Sequence, residues 1–127
     1  MLRLIGGVIV GVVAWLVVVT VLNLGLRHGW HDYAMVEKAM TFTIPMMVAR
    51  LLMSAVSSLA SGLVAALVDK RRWAPLVSGT TLLLLFVPVH YSMWDKFPIW
   101  YHLTFLFSLP LLSALGGTVL RREAAAA

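Results

Sequence analysis

Four long apolar stretches, joined by short polar segments, limit the fold of this chain more than any other feature. They cover about residues 4–26, 44–68, 74–91 and 99–120. A helix that crosses the hydrocarbon core of a bilayer needs about 20 apolar residues. In lipid, each backbone polar group must be satisfied inside its own segment, so even the valine-rich first stretch is expected to be helical. We therefore predict an all-α integral membrane protein, a four-helix transmembrane bundle.

We expect one transmembrane domain over residues 1–127, because the residues outside the four stretches suffice only for short connections. Charged residues make up 12% of the chain, which is about half of what a soluble domain carries. The longest connection, 27–43, is expected to lie at the membrane surface on the outer side. Within it, Asp32 is predicted to cap a short interfacial helix whose apolar face includes Met35 and Phe42.

The distribution of cations predicts the orientation. Most of them fall at one end of the apolar stretches, namely Arg3, Lys70, Arg71, Arg72, Arg121 and Arg122. The other end has Arg27, Lys38 and Lys96 beside acidic residues. Because cytoplasmic loops carry the excess of Lys and Arg, both termini are predicted to be cytoplasmic. The net charge of +5 is thereby explained by the membrane flanks, so the expected partner is the lipid bilayer and no nucleic acid.

Small residues recur at helical spacing in three of the stretches. Membrane helices associate where small side chains let their backbones approach closely. The predicted packing residues are Gly7, Gly11, Ser58, Gly62, Ala66, Ser113 and Gly117. The second stretch is the richest in them, so we predict that it forms the central helix. The same faces suggest association with a second copy of the chain or with a larger membrane complex.

Arg50 is the sharpest single candidate for function. It lies six residues inside the second stretch, about 9 Å below its outer end at 1.5 Å per residue. A charged residue at membrane depth is a functional hypothesis by default. One interpretation is contact with a ligand or lipid, or a pathway for an anion or small solute, along Arg50 and the serines Ser54, Ser57 and Ser61. The structural alternative is that Arg50 reaches the headgroups or pairs with one of the outer carboxylates, Asp32, Glu37 and Asp95.

All four histidines are expected on the outer side: His28, His31, His90 and His102. Imidazole is a ligand for copper, zinc and iron, and two histidines on facing helices can hold a haem. Their spacing matches no recognised metal motif. A metal or haem site is therefore one hypothesis, and ordinary interfacial histidines are the other.

Several chemistries are excluded or unsupported. The absence of cysteine excludes disulfide exchange, thiolate nucleophiles and cysteine metal sites. No catalytic motif is visible, and no Asp or Glu falls inside an apolar stretch. An enzyme is therefore not expected.

Three segments carry a resemblance to known proteins: LRLIGGVIVGVVAWLVVV, SLASGLVAALVDKRR and FPIWYHLTFLFSLPLLSALGGTVLRR. In the last, Pro110 and the pair Gly116 and Gly117 form a P-x(5)-GG pattern before terminal arginines. The chain resembles small four-span bacterial inner-membrane proteins of uncharacterised function. The resemblance implies the fold and a multi-pass protein of the bacterial inner membrane, and it supplies no reaction or ligand. The leading hypothesis from the sequence is a non-enzymatic protein that acts by helix–helix association, as an accessory subunit or a homo-oligomer.

Overall fold

The protein is an all-helical bundle in the computed structural model, which describes residues 2–37, 39, 41–69 and 73–126, with side chains to 119. Its helices are α1 (Leu2–Gly29), α2 (His31–Val36), α3 (Ile44–Val68), α4 (Ala74–Ser92) and α5 (Ile99–Ala126), with a short 3₁₀ turn at Trp94–Lys96. The described ranges contain no strand. Four helices, α1, α3, α4 and α5, are long and apolar enough to cross a membrane, which confirms the predicted fold class to that extent. The cations Lys38, Lys70, Arg71 and Arg72 lie outside the described residues.

Proline marks the beginning of two helices. Pro45 and Pro75 lie in the first turns of α3 and α4, where a missing backbone N–H costs no hydrogen bond. At the other end of α3, the chain turns extended at Asp69, whose backbone N–H still donates to the carbonyl of Ala65. The bounds of α3 are those that the apolar stretch predicts.

The interfacial helix differs from its prediction. Trp30, and not Asp32, is the N-cap residue of α2, and no side chain caps this helix. The reason is that α1 continues to Gly29 and the backbone becomes extended only at Trp30, so the new helix starts at once and includes Asp32 in its first turn. Because α2 ends at Val36, Phe42 lies beyond the helix, in the connection to α3, where its ring packs against Tyr33 of α2.

The helix order around the bundle is α1, α3, α5, α4. Each of these helices contacts its two neighbours, and α3 also contacts α4. In α3, 44% of the apolar window is buried, against 17% in α1. The prediction that the second apolar stretch forms the central helix is confirmed.

Close backbone approaches hold this arrangement together. A Cβ on Gly7 would lie 3.1 Å from the carbonyl oxygen of Ala65, and one on Gly62 would overlap the backbone of Ser113. Gly117 likewise lies against the ring of Pro75. The residues predicted to pack are all buried in the bundle: Gly7, Gly11, Ser58, Gly62, Ala66, Ser113 and Gly117.

One end of the bundle is closed by aromatic side chains. Here α2 and the connections that follow it and α4 meet the beginnings of α3 and α5. The buried rings are Tyr33, Phe42, Phe97 and Tyr101, and we call this the aromatic end. Phe97 stacks on Tyr101 with ring centroids 4.4 Å apart and on Phe42 at 5.9 Å. This packing holds α2 against the beginnings of α3 and α5.

Candidate ligand cavity

Arg50 is fixed by two tyrosines at the aromatic end. Its Nη1 donates a hydrogen bond to the phenol oxygen of Tyr33 at 2.8 Å, and its Nε donates to that of Tyr101 at 3.2 Å. The guanidinium carbon also lies 4.7 Å from the centre of the Phe42 ring, a cation–π distance. The arginine of α3 is thus held between α2 and α5. Among the described residues it forms no ion pair with any of the three predicted carboxylates, Asp32, Glu37 and Asp95.

A chain of hydrogen bonds continues from Tyr33 to α1. The phenol of Tyr33 donates to Oδ1 of Asn23 at 2.6 Å, and Nδ2 of Asn23 donates to Glu37 at 3.4 Å. Glu37 also accepts from Arg27, with Nε 2.7 Å from Oε2, and the two form an ion pair. This network joins the end of α1 to α2 and, through Arg50, to α3 and α5.

The environment changes the acidity of Glu37 and of Tyr33. The hydrogen bond from Arg27 lowers the pKa of Glu37 below its ordinary value, with help from Asn23 and from the positive charges of Arg27 and Arg50. Burial raises the pKa of Tyr33, although the charge of Arg50 and its hydrogen bond oppose that rise. Glu37 is therefore an anion and Tyr33 a neutral phenol over the ordinary pH range.

These polar groups form one end of a cavity of about 490 Å³ between α1, α3, α4 and α5. Its lining is polar near the aromatic end and apolar towards the middle of the bundle. The lining residues are Trp15, Leu16, Val19, Thr20, Asn23, Leu24, Arg27, Glu37, Arg50, Met53, Phe86, Tyr101 and Phe105. The volume lies within the range of small-molecule sites, which combine apolar walls with a few placed polar groups.

Trp15 forms the floor of the cavity. It is only 2% exposed, and its indole N–H donates to the hydroxyl of Ser58 at 3.1 Å. Its ring packs against Phe86 and Phe105, with centroids 4.8 and 6.2 Å away. Below this point α1 packs directly on α3 and α4, where Gly11 meets Ser61 and Ser78. The cavity therefore occupies only the half of the bundle nearer the aromatic end.

The mouth of the cavity opens sideways along α1. Leu16, Thr20, Leu24 and Arg27 line the cavity and are themselves exposed. Their spacing of three or four residues places them along one edge of the helix. From Leu16 to Arg27 this edge is about 17 Å long at 1.5 Å per residue. The cavity is therefore open along the side of the bundle, at this edge of α1.

The predicted serine row does not line the cavity. Ser54, Ser57 and Ser61 are fully buried in helix contacts. Ser57 donates to the carbonyl of Met53, and Ser61 shares a hydrogen bond with Ser78 of α4 at 2.9 Å. The hydroxyl of Ser54 has no hydrogen-bond partner in the described part of the chain. Of the predicted ligand residues, Arg50 alone is on the cavity wall.

The structure brings two of the four histidines together. Nδ1 of His90 lies 2.7 Å from Nδ1 of His102, and Nε2 of His102 lies 3.2 Å from the carbonyl oxygen of Trp94. Because a carbonyl only accepts, Nε2 of His102 carries the proton and its Nδ1 accepts from Nδ1–H of His90. This pair is buried, whereas His28 and His31 are exposed at the junction of α1 and α2.

The histidine pair by itself offers few metal ligands. Its two facing nitrogens are joined by a hydrogen bond, while catalytic zinc sites use three protein ligands. Across the described residues, no group of three or more His, Cys, Asp or Glu side chains is placed to hold a metal ion. Metal or haem binding through all four histidines stays a prediction.

Sequence reasoning missed most of the residues around Arg50. Tyr33 and Tyr101 look like interfacial aromatics in the sequence, and Asn23 looks like a helix-contact residue. A signal was present in Asn23, the single carboxamide in the chain, which lies in an apolar stretch. Nothing local marked Trp15 as the floor of a cavity, because its role depends on residues of α3, α4 and α5.

Comparison with protein-family models, curated proteins and solved structures finds no match to this chain. The resemblance to small four-span bacterial inner-membrane proteins therefore stays a prediction. The function has to be argued from the cavity itself.

Proposed function

We propose that this chain is a multi-pass protein of the bacterial inner membrane, with both termini cytoplasmic, that binds a small amphipathic molecule without transforming it. The binding site is the cavity between Trp15 and Arg50. The molecule enters from the half of the bilayer at the aromatic end, which is the periplasmic side in this orientation. Its apolar part lies among the rings and aliphatic side chains, and its polar part reaches Arg50.

The single observation that carries this proposal is that the cavity opens on the side of the bundle and has the charged side chain of Arg50 on its wall. A mouth along Leu16, Thr20 and Leu24 faces the surroundings of the apolar helices. A polar solute dissolved in water is not expected to use this mouth, because it would first have to leave water, which costs free energy. A bilayer amphiphile is already in the membrane, so its apolar part can enter through this mouth without first leaving water.

The surface of the bundle supports membrane insertion. Large apolar side chains remain exposed along the helices, including Ile9 at 57%, Leu84 at 66% and Phe107 at 60%. Such a surface is expected to be covered by lipid, since soluble proteins rarely expose contiguous apolar patches of this extent. The excess of cations beyond the other end of the bundle supports the orientation with both termini in the cytoplasm.

Two features make ligand binding a better proposal than association or transport. The small residues that suggested association, such as Gly7, Gly11 and Gly62, are buried inside one chain and are not available to a partner. The cavity ends at Trp15, and the serines that were expected to extend it lie in helix contacts. Association as an accessory subunit or homo-oligomer stays the alternative hypothesis.

A cavity-filling variant tests the proposal. Val19 lines the cavity, whereas Val17 on the same helix is 55% exposed and does not. The full chain, extracted with a mild detergent, would be analysed by native mass spectrometry for retained amphiphiles. We expect one retained molecule per chain in the wild type and in Val17→Trp, and its loss in Val19→Trp. Equal retention by the two tryptophan variants, at equal thermal stability, would refute binding in this cavity.

A further inference from the structure

We infer that the head of the bound molecule is an anionic oxygen group, a carboxylate or a phosphate, held by Arg50 and the hydroxyl of Tyr101. This inference rests on the proposed function, because it names the chemical class of the molecule in the same cavity. The evidence for it is the set of unused hydrogen-bond donors on the cavity wall and the positive charge of Arg50.

Arg50 has hydrogen-bond donors that no described residue accepts from. A guanidinium carries five N–H groups. One, on Nε, is directed to Tyr101, and one, on Nη1, is directed to Tyr33. For the second hydrogen of Nη1 and both hydrogens of Nη2, no acceptor is found among the described residues. Since Arg50 lines the cavity, these three donors are available to a ligand.

The hydroxyl of Tyr101 adds a further donor. Its oxygen accepts from Arg50, and its own hydrogen has no acceptor in the part of the chain that the structure describes. Tyr101 also lines the cavity. The hydroxyl of Tyr33 differs, because it already donates to Asn23. The wall around Arg50 is therefore a set of donors, and the matching ligand atoms are acceptors.

The charge balance selects an anion among the possible acceptors. Three charged side chains line the cavity: Arg27, Glu37 and Arg50. Arg27 and Glu37 neutralise each other through two-pronged hydrogen bonds, in which Nε and Nη2 of Arg27 meet the carboxylate. Arg50 has no ion-pair partner among the described residues, and the groups in direct contact with it are neutral phenols and a ring. Glu37, on which its charge also acts, is already paired with Arg27. A charge taken out of water is costly unless it is paired, and arginine pairs best with carboxylate or phosphate.

The same donors and charge disfavour amphiphiles with a cationic or a neutral head group. An ammonium or choline head would place a second cation beside Arg50 and would leave the donors without acceptors. A neutral hydroxyl or ester head would satisfy some donors but would not neutralise the charge. The donor set thus predicts discrimination between amphiphiles that share a chain and differ in the head.

Matched amphiphiles test the inference. The full chain in phosphatidylcholine nanodiscs would be titrated, with native mass spectrometry as the readout. The probes are oleoyl lysophosphatidate, oleate above its pKa, mono-olein and oleoyl lysophosphatidylcholine. We expect both anions to bind at least about 10-fold more tightly than the other two. Arg50→Gln should remove this preference, because the anions lose more affinity than mono-olein does, and Tyr101→Phe should weaken the anions more than mono-olein.

The outcomes separate the two proposals. If mono-olein binds as tightly as oleate in the wild type, the anionic head is refuted while binding in the cavity stands. If no probe distinguishes the wild type from Val19→Trp, the cavity proposal fails as well. Inorganic phosphate alone is the last probe. If it binds as tightly as lysophosphatidate, the site is one for a free anion and the amphiphile is refuted. The wild-type comparison needs no variant, so it stands even if Arg50→Gln is unstable.

Discussion

Nη1 of Arg50 donates a 2.8 Å hydrogen bond to the phenol oxygen of Tyr33, and this contact ties α3 to the short helix α2. The same phenol donates to Asn23 of α1, so one hydroxyl connects three helices. Because α2 is only six residues long and Tyr33 is its one buried residue, this hydroxyl is expected to matter for its position.

Tyr33→Phe should destabilise the bundle. The substitution keeps the buried ring and removes two hydrogen bonds, one of them from a charged donor. A loss of about 1.5–3 kcal/mol is expected for a hydrogen bond to a charged group. Thermal unfolding in detergent, followed by circular dichroism, would measure it. Tyr91→Phe is the matched control, because Tyr91 is 82% exposed, and its melting temperature should stay at the wild-type value. Equal melting temperatures for the two variants would contradict the expectation.

Glu37 gives the network a defined response to pH. The pKa of Glu37 lies below the ordinary value of 4.5, chiefly because Arg27 donates hydrogen bonds to its carboxylate. A lowered pKa in the folded state adds stability above the unfolded pKa, and this stability is lost as the pH falls through the folded value. We therefore expect the ion pair to hold at neutral pH and to break only as the pH falls through the lowered folded-state pKa of Glu37.

The pH response has a direct test. Melting temperatures of the wild type and of Glu37→Gln would be measured from neutral pH to below pH 4.5. The variant should be less stable at neutral pH, and the difference should shrink as the wild-type carboxylate is protonated. Asp95→Gln is the control, since Asp95 is exposed in the connection before α5. A constant difference between Glu37→Gln and the wild type would show that the carboxylate charge contributes nothing.

Gly62→Ala should be strongly destabilising. A Cβ at this position would overlap the backbone of Ser113, and α3 and α5 would have to separate. Overpacking of a tight contact costs about 1–3 kcal/mol, with more expected where the obstacle is backbone. Gly25→Ala is the comparison, because its Cβ would meet nothing within 4 Å. The measurement is the fraction of monodisperse protein after extraction, with the melting temperature. Tolerance of Gly62→Ala at the level of Gly25→Ala would overturn this packing.

His90 and His102 should be energetically coupled. Their rings share a buried hydrogen bond, and that of His102 stacks on Trp94 at 4.6 Å. In a double-mutant cycle with alanine, residues in contact show interaction energies of about 0.5–3 kcal/mol. His28 and His31 are exposed, so the same cycle there should be additive within about 0.5 kcal/mol. An additive result for the buried pair would mean that the hydrogen bond does not stabilise the bundle.

The positions of the helices could be read from the sequence with good accuracy. The predicted stretches 44–68 and 74–91 correspond to α3 and α4 almost residue by residue. The central place of α3 also followed from its small residues. Residues close together in the chain determine these properties, because a helix forms its backbone hydrogen bonds within itself and its length follows from a run of apolar residues.

The surroundings of single side chains were decided by the tertiary structure. The serines of α3 offered a plausible polar path in sequence, yet Ser61 faces Ser78 while Ser58 meets Trp15 and Ser113. A difference of a few tens of degrees around the axis of α3 decides whether a side chain lines the cavity or lies in a contact between helices. Sequence spacing gives the relative angles of side chains on one helix and does not say which neighbour each will meet.

The sequence by itself determined four apolar helices, the bounds of α3 and its central place, since each depends on residues close together in the chain. Only the tertiary structure placed Arg50 beside Tyr101, which is 51 positions away, and paired two of the four histidines. It also left a cavity above Trp15, between α1, α3, α4 and α5. Such contacts depend on how side chains from distant segments fit one another, and that fit exists only once the helices have packed.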